Sequence, residues 1–187
     1  MLTPPSPGPS VAEIIGEFVD YQIRFVEQQS AWNKHPVCPF ARQARLKGRI
    51  RYEVLAFSAE TCLDPAGEFQ RLLRAFVAQN HELVLLLIHP NRQAMSYPQL
   101  EHLIDVEISP LLGSLQLEAF SGHPQHPLKI GEVYLRREPF ITLQVIRQRV
   151  SHRATQGLHQ RNYFEGWTSE ALDYASAHSR GYQPATA

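Results

Sequence analysis

A cysteine and the basic side chains after it form the first stretch of this sequence that could support chemistry. Cys38 directly precedes Pro39, and three arginines follow at helical spacing, at Arg42, Arg45 and Arg49. Proline suits the first position of a helix, so we expect a short helix with Cys38 at its N-cap. A helix N-terminus and nearby cations lower a thiol pKa, and arginines bind carboxylate or phosphate. The stretch predicts a thiolate or anion site, or alternatively a buried structural cysteine beside a solvated basic helix.

Histidines followed by proline are the second chemical feature. His89 and His123 each close a predicted strand, and His126 lies three residues after His123. Imidazoles serve as general acids and bases and as metal ligands, so these three residues are candidate metal ligands, with His89 and His123 also candidate catalytic groups. The spacing matches no known zinc signature, and a His-Pro pair can also be a simple turn.

Arginines near the C-terminal predicted strand, in the stretch RREPFITLQVIR, are the third feature. We expect Arg137 and Arg147, with Arg42 and Arg45, to bind an anionic substrate, because guanidinium groups recognise carboxylates in a bidentate manner. The alternative is that charges beside an edge strand prevent aggregation. A Cys-Pro pair is also a short signature of thiolate haem binding, so haem or a metal ion is a possible cofactor.

Helical and strand periodicities alternate along the chain and must position these groups. Apolar residues at helical spacing predict a helix beginning after Ser10, and the run Glu82 to His89 predicts a buried strand. The complete order is α-β-α-β-α-β-β-α, with Thr142 to Arg147 as the last strand. This order predicts an α/β (α+β) sandwich whose mixed, mostly parallel sheet has four to five strands flanked by helices. Right-handed crossovers make the first three strands parallel, which brings their C-terminal ends to one edge.

The domain organisation follows from composition. A Pro-rich tail predicted to be disordered covers residues 1–10, a single α/β domain covers 11–158, and a helical extension and tail cover 159–187. The chain has 18 acidic and 18 basic residues, so its net charge favours neither nucleic acid nor an anionic membrane. With two cysteines, no secretory signal and no long apolar run, we expect a cytoplasmic protein.

Three stretches resemble the bacterial family known as domain of unknown function 1415. They are VCPFARQARLKGRIRYEV at 37–54, LLLIHP at 85–90 and RREPFITLQVIRQ at 136–148. The resemblance covers roughly residues 12 to 155 and identifies the chain as a divergent member, since the Phe-His-Pro motif of the family is interrupted at Phe120 to Pro124. No activity comes with the family. The resemblance implies that the segments of Cys38, His89, His123 and Arg137 form one site.

These observations lead to three functional hypotheses. The first is a small enzyme acting on an anionic small molecule in a Cys/His/Arg pocket. The second is a non-catalytic protein that binds haem, a metal or another ligand in the same pocket. The third is an interaction module whose Pro-rich ends bind a partner. The sequence predicts neither the reaction nor the oligomeric state.

Overall fold

The computed structural model describes residues 8–29 and 35–178 of the chain. Residues 1–7 of the predicted N-terminal tail and the chain beyond residue 178 lie outside the described residues. The described helices are α1 (Val11–Tyr21, continued by the π-helical Gln22–Val26), α2 (Ala41–Leu46), α3 (Ala59–Leu63), α4 (Glu68–Ala78), α5 (Tyr97–His102, continued by the π-helical Leu103–Ile108), α6 (Ser109–Ser114), α7 (Gln148–His159) and α8 (Ser169–His178). The described strands are β1 (Ile50–Val54), β2 (Val84–Ile88), β3 (Leu117–Gly122), β4 (Lys129–Ile130), β5 (Val133–Tyr134) and β6 (Thr142–Arg147).

Four strands form a mixed sheet in the order β1-β2-β6-β3. β1 and β2 are parallel, whereas β6 is antiparallel to both of its neighbours, β2 and β3. β1, β2 and β3 therefore point in the same direction, although only one adjacent pair is parallel because β6 lies between β2 and β3. The predicted α+β fold, with a mixed sheet of four to five strands flanked by helices, is confirmed. The sheet is not mostly parallel as expected, because it has one parallel pair and two antiparallel pairs.

Side chains alternate along each strand and divide the sheet into two buried faces. On one face, Leu86 and its neighbours pack against Phe18 of α1, and we call this the α1 face. On the other, Leu87 and Leu143 pack against Phe76 of α4 and against α5, and we call this the α4 face. The sheet is thus covered by helices on both sides, and each strand residue faces one layer or the other.

Local sequence signals explain most helix ends. Ser10 and Glu13 form the capping box that their spacing predicts, with the Ser10 N–H donating to Glu13 Oε2 at 2.7 Å. Gly48 follows α2 with a φ of 62°, a left-handed conformation that favours glycine after a helix.

Two predicted elements differ from the structure. Apolar residues at helical spacing predict one helix from about Tyr97 to Leu112, bent or ended early by Pro110. In the structure this region contains a π-helical segment, and Pro110 lies in the first turn of α6, where a missing N–H costs no hydrogen bond. The sequence also predicts a short edge strand from Glu132 to Leu135. This segment does not join the main sheet, because β5 pairs only with β4 in a two-stranded sheet.

Candidate functional site

The C-terminal ends of β1, β2 and β3 lie at the same end of the sheet, as predicted. Ile88, Thr142 and Gly122 lie side by side in the register, and the His89 N–H donates to Ile141 O at 2.8 Å. His89 and His123 follow β2 and β3 on the α4 face of this edge. Since β6 lies between their strands, their backbones are separated by two strand spacings, about 10 Å.

Three of the four His-Pro pairs in the sequence, those of His89, His123 and His126, form the same local turn. In every case the imidazole Nδ1 accepts a hydrogen bond from the backbone N–H two residues later. The three donors are the N–H groups of Asn91, Gln125 and Leu128, at 3.0, 2.9 and 3.1 Å from His89, His123 and His126. His123 also places Nε2 3.1 Å from Met95 O, so both nitrogens of this ring are engaged. The His-Pro pattern therefore has a structural explanation, because the side chain mimics an Asx turn.

The structure does not support the predicted metal site at His89, His123 and His126. Across residues 8–29 and 35–178, no group of three or more histidine, cysteine or acidic side chains is arranged to hold a metal ion. His89 instead packs edge-on against Phe57, and burial lowers the pKa of its imidazole. The Nδ1 lone pairs are already used in the turns, which leaves these rings poorly suited to coordination.

Arg45, one of the predicted anion-binding residues, is occupied by a carboxylate of the protein itself. It forms a bidentate ion pair with Glu27, with Nε and Nη2 at 2.7 and 2.8 Å from the two oxygens. The Glu27 side chain is 3% exposed, and its hydrogen bonds with Arg45 lower the pKa of the carboxyl group. Arg42 is exposed on the same helix. The ion pair of Arg45 with Glu27 thus connects α2 to the end of the first helix.

Arg147 and Arg137 also have structural positions. Arg147 Nη2 donates to Phe76 O at 2.8 Å and to Gln79 O, which satisfies carbonyl groups at the C-terminal end of α4. Arg137 lies outward, with its guanidinium 3.2 Å from the centroid of the Tyr134 ring. Neither guanidinium contacts Cys38 or the two predicted catalytic histidines, so the predicted substrate-binding set is not brought together.

A cavity of about 590 Å³ lies on the α1 face, between the sheet and helices α2 and α7. Its floor includes Leu86 and Gln144, and its walls include Phe40 and Leu158. Cys38 is the one sequence-predicted site residue that lines it. Because Cys38 lies on the α1 face and the histidines lie on the α4 face, the sheet separates the two halves of the site expected from the sequence.

The Cys38 thiol is not the activated thiolate that its position predicted. Burial raises its pKa, although the backbone N–H groups of Phe40 and Ala41 donate to the sulfur and the charge of Arg136 acts in the opposite direction. The N-cap of α2 is Phe40, and the helix begins at Ala41 rather than at Pro39. Desolvation of the sulfur is the largest of these influences, so the neutral thiol is favoured over the thiolate.

Arg136 is a cationic residue of the cavity wall that sequence reasoning did not select. Its Nη1 donates to Ser121 O at 2.9 Å, and its guanidinium lies 5.2 Å from the centroid of the Phe120 ring. Within the described ranges it forms no ion pair. A half-buried guanidinium that forms no ion pair among the described residues is suited to bind an anion that enters the cavity.

Glu138 is a buried carboxyl group on the same wall and is 5% exposed. Gln144 Nε2 donates to Oε1 at 3.0 Å, and the Thr142 hydroxyl donates to Oε2. Burial raises the pKa of Glu138 to about 7, against the opposing effects of the Thr142 hydrogen bond and the Arg136 charge. Both protonation states are therefore populated near neutral pH, as a general acid or base requires.

Gly122 makes this position of Glu138 possible. A Cβ atom built on Gly122 would overlap the carboxyl group of Glu138 and the hydroxyl oxygen of Thr142. The absence of a side chain at the end of β3 lets the carboxyl group cross the strand at close range.

One sequence signal could have identified this wall. Gln144 is a polar residue at an inward-facing position of β6, between the apolar neighbours Leu143 and Val145. A polar side chain in a buried strand needs a partner, and Glu138 is that partner. No comparable signal distinguishes Arg136 from Arg137, since adjacent arginines differ only in the direction that the folded backbone gives them.

No helix within the described ranges is long and apolar enough to cross a membrane. The chain matches no protein-family model, no curated protein and no solved structure. The resemblance to domain of unknown function 1415 stays a prediction from its motifs.

Proposed function

We propose that this protein is an enzyme that acts on a small anionic molecule bound in the cavity on the α1 face. Arg136 binds the anionic group, and Glu138 transfers a proton to or from the substrate. The observation that carries the proposal is the presence, on one cavity wall, of a guanidinium without an acidic partner in the described residues and a buried carboxyl group with a pKa of about 7. Perturbed carboxyl groups in cavities are typical of acid–base catalysis.

The size and lining of the cavity agree with this proposal. A volume of about 590 Å³ suits a metabolite-sized ligand, and most of the lining side chains are apolar. Trp167 contributes an indole that lines the cavity, and its buried Nε1 has no hydrogen-bond partner in the described part of the chain. A bound molecule with an acceptor group would satisfy this donor.

A binding protein without turnover is the second candidate function. The observation that favours it is that both Glu138 oxygens already accept hydrogen bonds, from Thr142 and Gln144. A carboxyl group held in this way can stabilise the cavity wall without exchanging a proton with a ligand. Haem bound through Cys38 would be a special case of this function.

Mass spectrometry of a mixture of anionic metabolites, before and after incubation with the purified protein, tests the proposal. We expect the wild-type protein to consume at least one anion, Glu138→Gln to bind it without consuming it, and Arg136→Gln to bind it at least about tenfold more weakly. Glu132→Gln and Arg137→Gln are the matched controls, because both residues are exposed and lie outside the cavity.

The possible results separate the candidates. An anion that binds but is never altered would establish the binding protein in place of the enzyme. An Arg136→Gln variant with wild-type affinity would refute the anion site altogether. A Soret absorption band in the purified protein, lost in Cys38→Ala, would instead indicate haem.

A further inference from the structure

Three further cationic side chains line the cavity at some distance from Arg136. They are Lys47, Arg49 and Arg153, and all three are exposed. None of them forms an ion pair with an acidic residue in the ranges 8–29 and 35–178. Cations collected at one opening without acidic partners produce a locally positive potential.

The backbone places Lys47, Arg49 and the start of the helix that carries Arg153 at the same end of the sheet. Lys47 and Arg49 lie between α2 and β1, and Arg49 O accepts hydrogen bonds from the start of β2, including one of 2.8 Å from Leu83 N. Arg153 lies in α7, which follows β6 directly, and the end of β6 pairs with the start of β2 through Ile146 and Val84. We call the end formed by Lys47, Arg49 and Arg153 the cationic mouth.

Acidic residues of the lining lie elsewhere. Apart from Glu138, they are Glu101 and Asp105, next to Ile104, which packs against the α4 face. With Ala119 and Ser121 they line the part of the cavity that reaches β3, at the opposite edge of the sheet from β1. Three strand spacings, about 14 Å, separate the two edges. Within the described residues, neither Glu101 nor Asp105 forms an ion pair with a cation of the cationic mouth.

The cationic mouth and Arg136 are the two ends of an elongated space. Arg136 donates a hydrogen bond to Ser121 of β3. In the sheet register, Phe120 of β3 lies opposite Gln144 of β6, and Gln144 lies opposite Leu86 of β2. Leu86 in turn lies opposite Tyr52 of β1. Arg49 lies three residues before Tyr52. The backbone of Arg49 is therefore about 14 Å across the sheet and about 10 Å along the strands from the part of β3 that Arg136 contacts.

The surface between these ends is apolar. Ile50, Val84, Leu86 and Ile146 form the floor, and α7 contributes Leu158 to the wall. A ligand that reaches from one end to the other must therefore bury an apolar or weakly polar chain.

We propose that the substrate is a phosphorylated, elongated molecule with a second anionic group, a carboxylate, at its other end. The phosphate binds Lys47, Arg49 and Arg153, the chain lies on the apolar floor, and the carboxylate reaches Arg136. Three cations match the charge of a phosphate monoester better than that of a carboxylate. This substrate class rests on the proposed function, because it uses Arg136 as the anchor of the reacting end.

Isothermal titration calorimetry with three straight-chain probes of equal length tests the inference. The probes are an alkanoate with a terminal phosphonate, the unsubstituted alkanoate, and the alkyl phosphonate without a carboxylate. We expect the bifunctional probe to bind at least about tenfold more tightly than either single-ended probe, with a smaller difference at high salt.

Two sets of variants separate the ends of the ligand. The mouth variant is Lys47→Gln/Arg49→Gln/Arg153→Gln. It should bind the bifunctional probe no more tightly than the alkanoate, and it should retain wild-type affinity for the alkanoate. Arg136→Gln should weaken the alkanoate and retain the contribution of the phosphonate. The control is Arg42→Gln/Arg74→Gln/Arg161→Gln, which removes the same charge from exposed residues outside the cavity and should change neither affinity.

Each contrary result has a definite meaning. The phosphate site is wrong if the bifunctional probe binds no more tightly than the alkanoate, or if the mouth variant still binds the bifunctional probe tenfold more tightly. In either case the proposed function at Arg136 still stands. If the alkyl phosphonate binds as tightly as the bifunctional probe, the ligand is a single-ended amphiphile and the inference fails. If Arg136→Gln binds the alkanoate like the wild type, the proposed function fails with it.

Discussion

Glu138 is a residue of the candidate site whose ionisation depends strongly on the fold. In the unfolded chain it titrates at its ordinary pKa of 4.5, whereas burial in the folded protein raises the pKa to about 7, although the hydrogen bonds from Thr142 and Gln144 lower it. Between these values the folded protein holds a proton that the unfolded chain has released. Protonation therefore favours the folded state, and this stabilisation is complete below pH 4.5 and is lost as the pH rises through about 7.

Replacement of Glu138 by glutamine removes this titration, which gives the first prediction. Relative to Glu138→Gln, the wild-type free energy of unfolding should fall by on the order of 3 kcal/mol between pH 4.5 and pH 7, and should then level off. Urea unfolding of both proteins across this range measures the difference and cancels the titration of the histidines. Parallel pH profiles of the two proteins would contradict the raised pKa.

His89 shows how a single side chain can serve a turn rather than chemistry. Its Nδ1 accepts the Asn91 N–H, and its ring packs on Phe57. Since Asn91 N–H would be left without this acceptor, we predict that His89→Ala lowers the free energy of unfolding by about 1–3 kcal/mol. His89→Asn should recover a substantial part of this loss, because an asparagine oxygen accepts the same hydrogen bond in an Asx turn.

Thermal or urea unfolding measures this difference, and His81→Ala is the control because His81 is exposed. Equal losses in the alanine and asparagine variants would show that the contact with Phe57, and not the turn, carries the stabilisation. The same comparison can be repeated at His123 and at His126.

At the scale of elements, Arg147 joins the end of β6 to the end of α4. Its guanidinium donates to carbonyl groups of Phe76 and Gln79, and it lies 5.0 Å from the centroid of the Phe76 ring. The last carbonyls of a helix have no partner within the helix, and a cation there also interacts favourably with the helix dipole. This position explains why a charged residue ends a buried strand.

Replacement of Arg147 by methionine tests this connection between elements. Arg147→Met keeps the apolar contact with Phe76 but removes the donors, so we predict a loss of about 1–3 kcal/mol in the free energy of unfolding. Ligand affinity in the cavity should not change. Arg149→Met, at an exposed position, is the control. Loss of ligand affinity without loss of stability would restore the substrate-binding role that the sequence suggested.

At the scale of the whole molecule, the C-terminal part of the chain encloses the cavity. Tyr163 is 3% exposed and donates its hydroxyl hydrogen to Val37 O, beside Cys38. Ala171 of α8 packs against Ile130 and Leu135. The segment predicted as an extension at 159–187 therefore contributes buried residues and one wall of the candidate site.

Truncation tests how much of the molecule depends on this segment. A chain that ends at Leu158 exposes the apolar surfaces that Tyr163 and Ala171 cover, and we predict a fall in Tm of at least about 5 °C with increased binding of a hydrophobic dye. A chain that ends at residue 178 is the control, because it keeps Tyr163 and Ala171. An unchanged Tm in the shorter chain would show that residues 11–158 fold as an independent domain.

The sequence predicted the elements much better than the site. The strand Thr142–Arg147 and the capping box at Ser10 are as the patterns indicated, because both depend on neighbours a few residues apart. The convergence of His89 and His123 at one edge also follows from right-handed crossovers. The assignment of these histidines to a pocket with Cys38 does not follow, because no local pattern states which face of a sheet a neighbouring helix covers.

The sequence by itself determined the alternation of helices and strands, the shared direction of β1, β2 and β3, and the His-Pro turns. Only the tertiary structure decided that β6 lies between β2 and β3, that Cys38 and the histidines lie on opposite faces, and that Arg136 and Glu138 line the cavity. The physical reason is the sequence separation of the interacting residues, because turns and periodicity arise from contacts within a few residues. The sides of a sheet, and the desolvation that shifts a pKa, depend on packing between distant segments.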